Sequence, residues 1–266
     1  MKDLIATIKP EIESHGIWGI DFRDIDTNET WQFNHDMPFT AASVIKLPIM
    51  VAAFKAYENK DFAFSDMMTL KREEQVGGSG VLQHMAPGTK LTIYDVMTLM
   101  IIQSDNTATN MMIDWLGIDM IQETMDGLEL HDSVITNKLM IVSTSRKGPN
   151  LVTAENMGKL LTNIVRGGVV SEFACDHMID IMKKQQINDC LPGNLPDADA
   201  GPVGSLPKWE LAHKTGTVTD ITHDVGIFYV GGRTFVASVL SKNIDNRAAR
   251  RIHMSIGDAI YTYLRS

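Results

Sequence analysis

Strand-like alternation lies at both ends of this chain and helical periodicity fills the middle, which restricts the fold more than any other feature. Residues 17–24 place Trp18, Ile20 and Phe22 on one face, as a half-buried strand does. Asp26, Thr27 and Asn28 supply turn chemistry, and 29–34 alternates again through Trp31 and Phe33, so a hairpin is predicted. β character returns after the Pro- and Gly-rich stretch 191–207, with strands predicted at 210–217, 224–230 and 234–240 and a turn at Gly231-Gly232. Helices bracket these strands: Leu4, Ile5, Ile8 and Ile12 share a stripe within residues 2–14, and Ile252, Ile256 and Ile260 do so within 246–263. Residues 43–57 are apolar enough for a buried helix, and about 60–190 is predicted mostly helical, broken at Gly77–Gly80 and at 146–149. The expected architecture is α+β. An antiparallel sheet flanked by the terminal helices is built from 1–58 and 192–266, and 59–191 forms an inserted helical domain. The cleft between the two is the expected small-molecule site.

Charge and composition narrow the function classes. Lys and Arg number 24 against 33 Asp and Glu, a formal net charge of -9, which argues against general binding of nucleic acid or of anionic lipid. No run approaches the roughly 18 apolar residues of a membrane span. Asp3, Glu11 and Glu13 leave no signal peptide in the first twenty residues. The chain as given is thus expected in the cytoplasm, or in the periplasm or outside the cell if a leader has been trimmed. Two cysteines, Cys175 and Cys190, make no disulfide framework. The eight histidines are scattered without a His-Glu-x-x-His pattern, so no metal is expected. Composition leaves the oligomeric state open.

Three short motifs carry potential chemistry. In Ser43-Val44-Ile45-Lys46 the i,i+3 spacing brings an amine to a hydroxyl on one helix face. Burial among apolar neighbours and nearby positive charge would lower the lysine pKa and make it a base for the serine. Taken alone the motif is weak, and the blander reading is favoured: Ser43 as a helix N-cap and Lys46 as a solvated helix lysine. Ser104-Asp105-Asn106 interrupts the apolar run 96–102 and offers a proton-carrying hydroxyl and an amide, or simply another N-cap. In His213-Lys214-Thr215-Gly216-Thr217, Lys214 offers a cation for a carboxylate, Thr215 and Thr217 offer hydroxyls, and Gly216 permits close approach of a ligand to the strand. The bland alternative there is an edge strand protected by its lysine. Ser205-Leu206-Pro207-Lys208 repeats the first spacing among prolines and reads as a loop accident.

Together and in this order, the three motifs resemble those of the class A β-lactamase and penicillin-binding protein superfamily. The likeness extends to Gly78-Ser79-Gly80-Val81-Leu82-Gln83, Pro87-Gly88, Leu91-Thr92-Ile93 and the run Ser104-Asp105-Asn106-Thr107-Ala108-Thr109-Asn110. The resemblance implies a serine hydrolase that opens β-lactam rings or related amides through an acyl-Ser43 intermediate. It makes Lys46 the activating base, and Ser104 the proton carrier to the leaving nitrogen with help from Lys214. It gives Asn106 the substrate's side-chain amide, and Lys214, Thr215 and Thr217 its carboxylate. The Ser43 and Thr217 N–H groups would form the oxyanion hole. Asp105 would brace the loop. No cofactor is implied. The expected partner is a small β-lactam or a peptide like D-Ala-D-Ala.

Two departures bear on turnover. Class A β-lactamases carry Glu-x-x-Leu-Asn after Ser-Asp-Asn, and its glutamate aligns the deacylating water. Here the corresponding stretch, roughly 137–150, holds no acid, and Glu155 just beyond reads as a residue of a helix first turn. Many class A enzymes also place an arginine after the Lys-Thr-Gly strand, where this chain has Thr222-His223-Asp224. His213 and His223 could stand in when protonated, though neutral, structurally bonded rings are the default expectation. Slow deacylation is therefore expected. A DD-peptidase-like penicillin-binding protein and a cytoplasmic esterase or amidase are the alternatives.

Overall fold

The structure is a computed structural model that describes residues 1–140, 148–198 and 207–266. In chain order the elements are α1 (Lys2–Ser14), β1 (Ile17–Asp24), β2 (Thr30–Phe33), β3 (Phe39–Thr40), α2 (Lys46–Glu58), β4 (Met67–Thr69) and β5 (Lys90–Thr92). There follow α3 (Ile93–Ile102), α4 (Asn106–Leu116), α5 (Ile118–Gly127), β6 (Leu151–Val152), α6 (Ala154–Val165) and α7 (Glu172–Lys183). The chain closes with β7 (Trp209–Val218), β8 (Ile221–Val230), β9 (Arg233–Lys242) and α8 (Asn246–Arg265).

Five strands form one antiparallel sheet in the order β2-β1-β9-β8-β7. Trp18, Ile20 and Phe22 of β1 are fully buried on one face, packed with the apolar stripes of α1 and α8. Each such side chain contributes about 1.5–3 kcal/mol by leaving water, which is why the period-2 pattern fixes the face that the terminal helices cover. The opposite face packs on a second core that runs through α2, α3, α4, α6 and α7. Because β7 ends the sheet, its outer edge lies open to the elements around α2, and the short turn before α2 packs directly against it.

The α+β class is as the periodicity predicts, but two stretches differ. Residues 59–92 contain no α-helix. They hold the two-stranded ribbon β4–β5 and two 3-10 turns, Arg72–Glu74 and Leu82–His84. Gly78, Gly80 and Gly88 all take positive φ there, and the loop is held instead by bonds from Val76, Val81 and Leu82 N–H to side chains of the segment 105–107. Strand β8 starts at Ile221, ahead of the predicted 224, because Thr222 and His223 are buried within the sheet despite their polarity. Residues 146 and 147 of the predicted break, and Ser205 and Leu206 of the loop motif, lie outside the described residues.

Candidate active site

The nucleophile candidate sits on a strained connection. From β3 the chain passes Ala41 to Ala42, whose φ of 44° is left-handed, and enters a 3-10 turn, Ala42–Ile45, that runs into α2. A left-handed non-glycine residue costs about 1–2 kcal/mol and persists only when its surroundings over-determine it. Ser104, in the second motif, is also left-handed at φ 51°. Ser43 is partly exposed while Val44, Ile45 and Lys46 are buried, so the turn presents the hydroxyl and hides the amine.

Lys46 joins the first two motifs. Its Nζ lies 2.9 Å from Ser43 Oγ, 2.7 Å from the Ser104 carbonyl oxygen, 3.0 Å from Ser104 Oγ and 3.0 Å from Asn106 Oδ1. Burial, and secondarily the Lys214 charge, hold its pKa well below the ordinary lysine range, with Asp105 opposing. A neutral amine has two N–H groups and a lone pair. It can donate to the Ser104 carbonyl and Asn106 Oδ1 while accepting from a serine hydroxyl, which is the arrangement a base requires.

Asp105 braces rather than reacts. Its Oδ1 accepts from Ala108 N–H and caps α4, while Oδ2 accepts from the N–H groups of Val81 and Leu82 at 2.6 and 2.8 Å. Asn106 Nδ2 donates to the Gly77 carbonyl, so the same loop is bound twice. Only glycine fits at position 80: φ is 105°, and a Cβ would lie 2.2 Å from the Asp105 carboxyl carbon. Gly80→Ala is therefore expected to destabilise by at least about 2 kcal/mol. Thermal melting checks this, with a fall of roughly 4–8 °C expected for a chain of this size.

On β7, Lys214 is fully buried and donates to the Thr215 carbonyl at 2.9 Å. Burial lowers its pKa to about 7, with Asp224 acting in the opposite sense. Thr217 is exposed and Thr215 is buried. The space that a Gly216 side chain would occupy belongs to the protein itself, because a Cβ there would lie 3.0 Å from Ser43 N. Gly216 thus serves the close approach of β7 to the nucleophile turn rather than of a ligand to the strand. The expected help from Lys214 to Ser104 is not seen as a bond; it is Lys46 that contacts the Ser104 hydroxyl.

Neither histidine is open to the cleft. His213 is buried and shares a sheet face with Asp224, to whose Oδ1 its Nδ1 lies at 2.8 Å, while its Nε2 lies 3.0 Å from Asn188 Oδ1. Both ring nitrogens are thus engaged within the protein, as a structurally bonded histidine requires. His223 is fully buried, and burial depresses its pKa to about 4. Its ring is neutral and bonded at neutral pH.

Residues 3–264 match the model of the Beta-lactamase enzyme family. The chain belongs to that family. It is a serine β-lactamase-like hydrolase. Among curated relatives, β-lactamase VEB-1 of Pseudomonas aeruginosa is 23% identical over 223 residues, covering 79% of this chain and 71% of that protein. Among solved structures, the β-lactamase of Sphaerobacter thermophilus is 27% identical with a TM-score of 0.90, covering 99% of this chain and 97% of that one. PBP-A is 27% identical with a TM-score of 0.86, covering 100% and 97%. A leucine-to-glutamate variant of PBP-A, solved as an acyl-enzyme complex with penicillin G, superposes with a TM-score of 0.85.

Within this β-lactamase family member, the described part of the acid-free stretch 137–150 is anchored to α4. Asn110 lies one helical turn beyond Asn106 on α4, and its side chain pins one residue by both backbone groups. Leu139 N–H donates to Asn110 Oδ1 at 2.8 Å, and Asn110 Nδ2 donates to the Leu139 carbonyl at 3.0 Å. The anchored residue is a half-buried leucine packed on the helical core. Glu155 is in the first turn of α6, which Thr153 caps, and its carboxylate is 3.8 Å from His35 at the surface. Sequence reasoning missed the Leu139 anchor, although Asn110 stands in the Ser-Asp-Asn-Thr-Ala-x-Asn run that carried the resemblance. Among the described residues no cluster of His, Cys, Asp and Glu is placed to hold a metal ion.

Proposed function

We propose that this chain is acylated at Ser43 by β-lactams or related amides and releases the acyl group slowly, acting as a penicillin-binding protein with poor β-lactamase turnover. The observation that carries this is Lys46 Nζ within 3.0 Å of the hydroxyls of both Ser43 and Ser104, while the residue anchored by Asn110 is leucine. In the acylation step Ser43 Oγ attacks the amide carbonyl as its proton passes to Lys46. The oxyanion lies against the backbone N–H groups of Ser43 and Thr217. The C–N bond then breaks, and Ser104 hands the leaving nitrogen a proton that Lys46 replaces. Asn106 holds the side-chain amide. Lys214 and the Thr217 hydroxyl hold the carboxylate, with Thr215 anchoring Lys214. Hydrolysis of the ester needs a water activated by a base. Without a positioned one the step slows by about 100- to 10,000-fold.

Intact-protein mass spectrometry after mixing with a penicillin tests the reading. An adduct equal to the drug mass that persists for minutes or longer is expected. A transient adduct with hydrolysed drug accumulating would remove the slow-release part, and absence of any adduct would remove the β-lactam part. The same Ser43, Lys46 and Ser104 cluster would serve a second reading, a peptidase on peptides ending in D-Ala-D-Ala. Release of D-alanine from such a peptide, lost in Ser43→Ala, would select it.

Lys214 makes the recognition pH-dependent. With its pKa lowered to about 7, the free protein holds the cation below that pH and loses it above. KM for a penicillin, which carries a carboxylate, is expected to rise as pH increases through about 7. KM for an uncharged ester should stay level over the same range. Parallel rises for both substrates would assign the effect elsewhere.

A further inference from the structure

We infer that His223 is a positioning residue for the nucleophile: as a neutral ring with its hydrogen on Nε2, it clamps the segment that delivers Ser43 onto the sheet. This rests on Ser43 being the acylated residue. The ring sits between two backbone groups of opposite character. Its Nε2 lies 2.9 Å from the Thr40 carbonyl oxygen, and Ser241 N–H donates to its Nδ1 at 3.1 Å. One partner accepts and the other donates, so only one neutral tautomer satisfies both.

The clamp acts where the chain is under strain. Thr40 ends β3, and between it and Ser43 comes Ala42 at φ 44°. Phe39 meets the imidazole edge-on at 5.9 Å, and on the far side Ala41 N–H donates to the Asn150 carbonyl at 2.8 Å. His223 is also the register partner of Gly216, the residue whose missing side chain makes room for Ser43 N. Strand β8, strand β7 and the nucleophile turn are thus stacked through His223 and Gly216. The direction of the Ser43 N–H, and with it one half of the oxyanion hole, depends on that stack.

A second proton on the ring would turn the Nδ1 acceptor into a donor facing the Ser241 N–H. The charged groups around it do not favour that proton. His253 of α8 opposes it, and Lys214 of β7 and Lys46 of α2 lie on the same side of the sheet. Lys242 of β9 places its ammonium 4.6 Å from the Phe39 ring centre. Asp224, next along β8, points to the other face with His213. Burial is the largest influence and holds the ring neutral down to a pH of about 4.

The test is the second-order rate of Ser43 labelling by a fluorescent penicillin for wild type, His223→Ala and His223→Gln, from about pH 8 to 4, with circular dichroism at each pH. Misplacing a reacting group by about 1 Å costs on the order of 100-fold, so folded His223→Ala should label about 10- to 100-fold more slowly. Glutamine carries an acceptor and a donor side by side and cannot take up the proton. At pH 7 it should restore the rate to within about threefold of wild type, and towards pH 4, where Lys46 takes up a proton in both proteins, its rate should fall less steeply than that of wild type. Wild-type rates in His223→Ala, or a glutamine variant as slow as the alanine one, would overturn the inference. If His223→Ala does not fold, superimposable acid limbs in wild type and His223→Gln would overturn it instead. A wild type that takes no label would sink the Ser43 reading itself, and this one with it.

Discussion

Ser43→Ala should show no penicillin adduct at all, and Lys46→Ala should form one about 100- to 10,000-fold more slowly than wild type. The two substitutions remove different things. Without the Ser43 oxygen there is no atom to acylate, while Lys46→Ala leaves the hydroxyl in place without its base. The protein should stay folded in the first case, because the partly exposed Ser43 contributes a single bond to Lys46, worth about 1 kcal/mol. Lys46→Ala has two opposing effects on stability. It removes a desolvated amine, and it leaves the Ser104 carbonyl and Asn106 Oδ1 short of a donor in a buried place. Time-resolved mass spectrometry beside thermal melting separates chemistry from folding. An adduct on Ser43→Ala would take Ser43 out of the mechanism, and an unchanged acylation rate in folded Lys46→Ala would exclude Lys46 as the essential base.

The converse change should create turnover. Leu139→Glu places a carboxylate at the residue whose N–H and C=O are both held by Asn110, one helical turn from the Asn106 that touches Lys46. A carboxylate there can activate water against the Ser43 ester, and the lifetime of the penicillin adduct is expected to shorten by about 100-fold or more. The same charge favours the protonated form of Lys46, so acylation should slow moderately while deacylation quickens. Position 145, nearer the middle of the acid-free stretch, lies outside the described residues, whereas position 139 has a defined anchor. Measured adduct lifetimes decide the matter. An unchanged lifetime in a folded Leu139→Glu protein would mean that this side chain does not reach the ester and that slow release has another cause.

The elements most legible in the sequence are those whose side chains repeat with a local period. The stripes of α1 and α8 and the alternation of β1 each bury a face against a neighbour, and the chain shows that face within one or two turns. The stretch 59–92 shows no such period. Its loop around 76–82 is held by Asp105, Asn106 and Thr107, residues far along the chain, so no local period records its course. The order of the three motifs identified the superfamily, yet it said little about which polar atoms meet. Lys214 was expected to help Ser104 pass its proton, and the structure adds that Lys46 bonds both serine hydroxyls.

By itself, the sequence determined the α+β layout, the i,i+3 pairing of Ser43 with Lys46 and the want of an acid near 137–150. All three are properties of residues close together in the chain. Tertiary structure alone decided that Lys46 is buried and driven towards its neutral form, that Leu139 takes the place held by Asn110, and that His223 reaches back to Thr40. Burial and desolvation are collective. They depend on which distant segments close over a side chain, and a local pattern of residue types does not record that closure.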